Sequence, residues 1–341
     1  MTASPADIAA ATAAAMRVHG GPDGGGPVRF DFSTNANACG PCPAALAAVQ
    51  LADATRYPDP RYTALRERLA AFHGVAPGRI LPAASASEAI FRITAWAAQR
   101  GIRQARIPAH AYGDYAAAAA AWRMAVHRAD TAPGPSSGAA PALVWACDPS
   151  SPLGRSEPVP PAGPCDLLVL DRAYAPLRLS GTSAWTPADL DRAWQLWSPN
   201  KALGLTGLRA AYAIAPKDSG ASVAALDALA PSWPVGAHGV ALLQAWCEDA
   251  TQRWLAESLD TLRVWKARQQ AICDALGWVV LPSDTPFLCV RLPLSPARAA
   301  ALRRAGIQLR DATSFGMPGH ARVSVQPPAA QDALRAAWQA G

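Results

Sequence analysis

The chain has 341 residues, of which 51% are hydrophobic and 16% charged, enough apolar surface for a sizeable core and too apolar a chain for disorder. The formal net charge of +6 comes from 31 basic residues scattered against 25 acidic ones; with no basic run and no interleaved aromatics, an anionic small molecule is a more economical partner than nucleic acid. No stretch approaches the ~20 apolar residues of a membrane span, and Met1 to Val18 has no basic start followed by an apolar block, so a cytoplasmic location is expected.

A short helix is expected ahead of the Gly/Pro-rich loop Gly20–Pro27. Helical patterns then cover Ala44–Leu51, Arg61–Phe72, Ser87–Gln99 and the alanine-rich Tyr115–Ala125. Short apolar runs at Ala105–Ile107, Ala142–Ala146, Leu167–Leu170, Gln195–Trp197 and Ala210–Ala215 suit buried strands, and Pro158–Pro164 suits a surface connection. Alternating strands and helices predict an α/β fold with a largely parallel sheet covered on both faces. A long helical pattern over Val240–Leu276 precedes strands at Trp278–Leu281, Phe287–Leu292 and Arg322–Val325, a helix near Pro296–Ala305 and a closing helix. These predict a smaller α+β unit.

In an open parallel sheet, ligands bind beyond the carboxyl ends of the strands. The segments that follow the five apolar runs are Pro108–Tyr115, Cys147–Gly154, Asp171–Tyr174, Ser198–Arg209 and Pro216. They bring a carboxylate, a lysine, an arginine, tyrosines and serines to one edge, a set suited to an anionic, aromatic ligand. Lysine is scarce: Lys201, Lys217 and Lys266 are the only three. Lys201, the one of the three in these edge segments, therefore stands out.

Ser198-Pro-Asn-Lys201, followed by Arg209, resembles the cofactor-lysine motif of the class I/II aminotransferases, and Asp171-x-x-Tyr174 resembles their Asp-x-x-Tyr. The resemblance implies the type I fold of pyridoxal-5′-phosphate (PLP) enzymes, with PLP held by Lys201 as a Schiff base and its phosphate by Ser198 and Arg209. It also implies that Asp171 pairs with the ring nitrogen, that Tyr174 and Ser151 serve the ring oxygen, and that Tyr112 stacks on the ring. The helix start Ser85-Ala86-Ser87 would offer amides to the phosphate. Tyr57 would reach the site of a neighbouring subunit, so a homodimer is expected. Relatives usually carry Asn-Asn-Pro-Thr-Gly where this chain has Ser150-Ser-Pro-Leu-Gly154; Ser151 thus replaces an asparagine, and a hydroxyl stands where a longer amide reached.

The match runs nearly end to end and is closest to the cobalamin-pathway L-threonine O-3-phosphate decarboxylases, with histidinol-phosphate aminotransferases next. It rests on His19-Gly-Gly, Asp31-Phe-Ser-Thr-Asn35, Gly40-Pro, Arg310-Asp, Ser314-Phe and Arg322. By that resemblance His19, Asn35 and Arg310 lie near a substrate phosphate, and Arg322 takes a carboxylate. It implies an arm over residues 1–43 packing on the small domain, a large PLP-binding domain over 44–235 and a small domain over 236–341. Decarboxylation and transamination differ in which bond at Cα stands perpendicular to the ring; ~1.4 kcal/mol between orientations changes the ratio tenfold. A third reading is a PLP-fold binding protein that has lost turnover through Ser151. Two other features point elsewhere: Cys39-Gly-Pro-Cys42 has thioredoxin-type spacing, and Gly20–Gly26 is a glycine cluster. The first sits where the family has a Gly-Pro turn; the second follows no strand and opens no helix, so it is no dinucleotide loop. Seven cysteines without zinc spacing suggest reduced thiols and no metal.

Overall fold

The computed structural model describes residues 20–128 and 140–340; the short helix expected ahead of Gly20 lies outside them. The strands, in chain order, are β1 (Phe30–Asp31), β2 (Ile80–Ala83), β3 (Gln104–Ile107), β4 (Ala125–Arg128), β5 (Ala142–Cys147), β6 (Leu167–Asp171), β7 (Trp194–Trp197) and β8 (Ala211–Ile214), then β9 (Val279–Val280), β10 (Phe287–Arg291), β11 (Ile307–Gln308), β12 (Arg310–Asp311) and β13 (His320–Ser324).

β2 to β8 form a seven-stranded sheet in the order β2-β8-β7-β6-β5-β3-β4. Neighbours from β7 to β4 pair in parallel, whereas β8 is antiparallel to both β2 and β7. β5 and β6 are buried along their whole length, which is why they read as continuous apolar runs rather than alternating ones. On one face Leu143, Trp145, Val169 and Leu196 pack against Ala89, Ile90, Ile93 and Trp96 of helix Ala86–Gln99. Ser85 caps that helix, its hydroxyl accepting from the Glu88 amide at 3.0 Å. On the other face Val144, Ala146, Leu168 and Leu170 meet Trp185.

The last third builds a four-stranded sheet, β12-β13-β10-β9. β1 pairs in parallel with β11, so the segment leading out of the Gly/Pro-rich loop is tied to the C-terminal part of the chain. Phe32, next to β1, is fully buried in the core beneath that part.

Four expectations need correction. The alanine-rich helix stops at Ala121, and Ala125–Arg128 is a strand. The chain reverses at Arg123, in the left-handed region at φ 54°, a turn that no glycine announces. Ile80–Ala83 is a further strand, buried along its whole length and so short and interrupted by Pro82 that no strand period shows in the sequence. The pattern over Val240–Leu276 is two helices, Ala237–Trp246 and Asp249–Ala275, parted at Glu248, whose extended backbone (φ −78°, ψ 139°) interrupts an apolar period that continues across it. Pro216 lies at the wrong edge, because β8 runs against its neighbours and its carboxyl end points away from theirs.

His73 ends helix Thr63–His73 and faces inward, its Nε2 2.7 Å from the Tyr212 hydroxyl. Burial, with Arg172 nearby, pushes its pKa from 6.5 down to about 4. The unfolded chain therefore binds a proton that the folded one resists, and stability present above pH 6.5 is lost as the pH falls toward 4. Urea titrations across that window should lose at most ~3 kcal/mol through this group, and His73→Gln should flatten the loss; an unchanged slope would remove His73 from the account.

Candidate active site

Because β8 reverses direction immediately after β7, the connection Ser198–Ala210 never crosses the sheet, and its whole length stays at the carboxyl edge. It faces a cavity of about 1160 Å³. Of the residues singled out in the sequence, Ser85, Ala86, Ser87, Tyr112, Ser151, Asp171, Tyr174, Ser198, Lys201, Arg209, Asn35 and Arg322 all line it. Tyr57 does not: it is 78% exposed and stacks on Trp233 with ring centroids 4.4 Å apart. Arg310 stands behind the wall, donating to Ser314 Oγ at 2.6 Å with its guanidinium over the Phe315 ring; Ser314 and Phe315 are the residues that line the cavity. His19 lies outside the described residues.

The Lys201 turn is held by the segment near the start of the described chain. The Asn37 amide N–H donates to the Lys201 carbonyl at 2.9 Å, and Asn37 Nδ2 donates to the Ala202 carbonyl and to Ser258 Oγ. Lys201 Nζ sits 5.5 Å from the centroid of the Tyr174 ring. Tyr174 is held edge-on by Phe287.

Asp171, at the end of β6, is buried. Its carboxylate accepts from the Tyr115 hydroxyl at 2.8 Å and from the Ala173 amide at 2.9 Å. Burial raises its pKa against these bonds and the attraction of Lys201, so its anionic form is best sustained by a cation placed beside it. Tyr115 was missed in the sequence because it is 56 residues from Asp171 and belongs to no spacing pattern.

Ser198 Oγ is buried and, among the described residues, has no hydrogen-bond partner. Both atoms of the buried Asn35 amide are in the same condition. Native proteins rarely leave such groups unmet; here all three belong to residues that line the cavity. By contrast the hydroxyls at the helix start are engaged internally, Ser85 as the cap and Ser87 with the Tyr112 hydroxyl at 3.1 Å. What Ala86 and Ser87 offer the cavity is their backbone amides at the positive end of a helix. Arg209 lies exposed at the rim.

Arg322, on β13, is buried. It donates from Nη1 to Ser151 Oγ and from Nη2 to the Ser33 carbonyl, both at 3.0 Å. Burial lowers its pKa, and no carboxylate of the described residues lies within ion-pair distance. Such a cation is matched to an anionic ligand. Ser151 is thus committed to Arg322 as an acceptor.

All seven cysteines are free. Burial pushes the Cys39 thiol up to about 11, and Cys39 Sγ donates to the Ser258 carbonyl while the Cys42 amide donates to the Leu203 carbonyl. The pair thus packs beside the Lys201 turn, and a thiol so hard to ionise is a poor redox nucleophile.

A lysine, a carboxylate and an unpartnered serine around one cavity at the carboxyl edge of such a sheet define a PLP-dependent enzyme, and the class I and II aminotransferase model matches residues 163–338. The chain belongs to that family, and pyridoxal phosphate is its cofactor. It is 30% identical over 333 residues to histidinol-phosphate aminotransferase 2 of Caulobacter vibrioides, covering 91% of this chain and 85% of that one. It is 28% identical over 331 residues to histidinol-phosphate aminotransferase 1 of Burkholderia pseudomallei, covering 90% of each. Among solved structures, L-threonine-O-3-phosphate decarboxylase of Porphyromonas gingivalis superposes with a TM-score of 0.74 at 22% identity over 91% of this chain and 98% of that one. Histidinol-phosphate aminotransferase of Sinorhizobium meliloti, in complex with pyridoxal-5′-phosphate, gives 0.73 at 23% over 90% of each. Among the described residues, no helix is long and apolar enough to cross a membrane.

Ser198→Ala separates a ligand role from a packing role. The Oγ has no partner among the described residues, so the apo melt should shift by no more than ~0.5 kcal/mol. PLP affinity, followed by visible absorbance, should fall about tenfold or more, as expected for a lost bond to a charged group. A destabilised apoprotein with unchanged affinity would make the serine structural.

Proposed function

We propose that the protein is a transaminase for a phosphorylated amine or amino acid, with histidinol phosphate as amino donor and 2-oxoglutarate as acceptor. The observation that carries the reading is the buried Arg322, without a carboxylate partner among the described residues, since an acceptor with a planar carboxylate would meet its guanidinium in paired hydrogen bonds. The relatives' names favour this reading over the decarboxylase that the motifs put first.

The cavity fits the cofactor on its own evidence, through the unpartnered Ser198 hydroxyl, the free amides of a helix start and a buried carboxylate that calls for a cation. Lys201 would carry PLP, Ser198, Arg209 and the amides of Ala86 and Ser87 its phosphate, Asp171 its ring nitrogen, Tyr174 its ring oxygen, and Tyr112 one ring face. When bound, pyridoxal phosphate supplies an electrophilic carbon for amines and a ring that withdraws electrons from Cα. The residues of the chain do the rest. Asp171, held by Tyr115 and Ala173, keeps a negative charge fixed at the sheet edge. Lys201 Nζ would hold and move the Cα proton of a bound substrate. Arg322 orients the carboxylate, and the buried Asn35 amide, with Arg310 steadying Ser314 behind it, suits a substrate phosphate. With Ser151 given to Arg322, Tyr174 acts at the ring oxygen without an amide beside it.

Two further parts belong to the same reading. The chain divides into an arm (1–43), a large domain (44–235) and a small domain (236–341), supported by the separation of the two larger sheets and the β1–β11 tie. A second subunit receives Tyr57, whose exposed ring beside Trp233, also exposed, is placed for a neighbour rather than for its own cavity.

Pure holoenzyme should convert 2-oxoglutarate to glutamate with histidinol phosphate and release no carbon dioxide from threonine phosphate; the reverse result reinstates the decarboxylase, and no turnover with either leaves a binding protein. Arg322→Ala should raise the KM for 2-oxoglutarate by roughly 30-fold or more, the ~2–5 kcal/mol of a lost buried charge partner, and spare histidinol phosphate. Arg310→Ala should do the opposite. Mixing Tyr57→Phe with Lys201→Ala subunits should restore part of the activity each lacks; no restoration would count against shared sites.

A further inference from the structure

Parallel neighbours in a sheet need a crossover, usually a helix laid on one face. Between β5 and β6 residues 148–166 form no helix. An extended, proline-rich segment covers the sheet face instead, with Val159 and Ala162 packed against the Val144, Ala146 and Trp185 cluster. Under this segment lies a second cavity of about 470 Å³. That volume is within the range of small-molecule sites.

Its walls are mostly apolar and flat, with Trp185 and Pro158 to Pro161 among them, which favours an aromatic ring. Of its charged lining, Arg155 is paired with Glu157 at 3.1 Å. Arg106 pairs with Asp166 through Nη2, yet its Nε is buried and has no acceptor among the described residues. A cavity with apolar walls and an unmet guanidinium N–H is complementary to a ring that carries one acceptor anion, because an ionised acceptor makes the stronger bond to that donor.

We propose that this second cavity binds a small aromatic monocarboxylate, its ring against the tryptophan and proline walls and its carboxylate toward Arg106. The site is separate from the cofactor cavity but shares a wall with it. Ser150, Leu153 and Arg155 line the second cavity, while Ser151, in the same turn, holds Arg322 in the first. The turn is closed on itself by bonds from the Gly154 amide to the Ser150 carbonyl and from the Ser150 amide to the Arg155 carbonyl. A ligand in the second cavity therefore presses on the strip of chain that positions Arg322.

Calorimetric titration of holoenzyme with indole-3-acetate, and with indole as the uncharged control, tests the site. The expected result is saturable binding of indole-3-acetate with a Kd below about 1 mM. Ala146→Leu, which fills the cavity, should abolish binding of both probes. Arg106→Lys, which keeps the charge beside Asp166 but removes Nε, should weaken indole-3-acetate about tenfold and leave indole unchanged. Arg322→Ala should change neither, since it belongs to the first cavity. Circular dichroism and the visible band of the bound cofactor check that each variant is folded. No saturable heat, or binding lost with Arg322→Ala and kept with Ala146→Leu, overturns the proposal. The outcome does not depend on which substrate the enzyme uses, because no turnover is measured.

Discussion

Arg322 is a guanidinium taken out of water without a carboxylate to meet it, and three distant parts of the chain are arranged around it. It sits on β13, donates to the Ser33 carbonyl beyond β1, and donates to Ser151 in the turn after β5. A buried charge of this kind costs several kcal/mol; the neutral oxygens of Ser33 and Ser151 meet Nη2 and Nη1, while Nε has no hydrogen-bond partner among the described residues. The approach is close. A Cβ at Gly20 would lie 2.0 Å from the Ser33 carbonyl oxygen and 3.1 Å from Arg322 Nη2, so only glycine lets the Gly20–Pro22 segment roof this corner.

Across the cavity the controlling feature is the reversal of β8. Had β8 run parallel to β7, its connection would have crossed the sheet and carried Lys201 away from Asp171. As an antiparallel neighbour it keeps Ser198, Lys201 and Arg209 at one edge, opposite the helix start at Ala86. The same edge receives Asp171 from β6 and Ser151 from the turn after β5. The cavity thus forms where strands of one sheet end and a strand of another supplies a cation.

The proline-rich crossover has a related consequence. By covering the sheet with extended chain it leaves space on the far side of the very turn that serves Arg322. Rigid prolines lose little entropy on folding, which suits a cover that makes few contacts. The cofactor cavity and its neighbour are joined by that short turn rather than by a long path of packed side chains.

The sequence by itself determined the central strands, the class of enzyme and the core of the site. Buried parallel strands must be apolar throughout, and Lys201, Asp171, Tyr174 and Ser198 belong to short motifs whose spacing is local. Local spacing also explains what it misplaced. The helix boundary at Ala121, the break at Glu248 and the strand Ile80–Ala83 depend on backbone turns or sheet partners that no neighbouring residue announces. Tertiary structure alone decided the direction of β8, which moved Pro216 to the far edge, and the partnership of Tyr115 with Asp171. It also decided that Ser85 spends its hydroxyl on a helix cap, that Arg310 stands behind Ser314, and that Ser151 belongs to Arg322. Each of these depends on which side chains meet across tens or hundreds of residues, and that is settled only when sheets and loops pack and every buried polar group competes for the partners within reach.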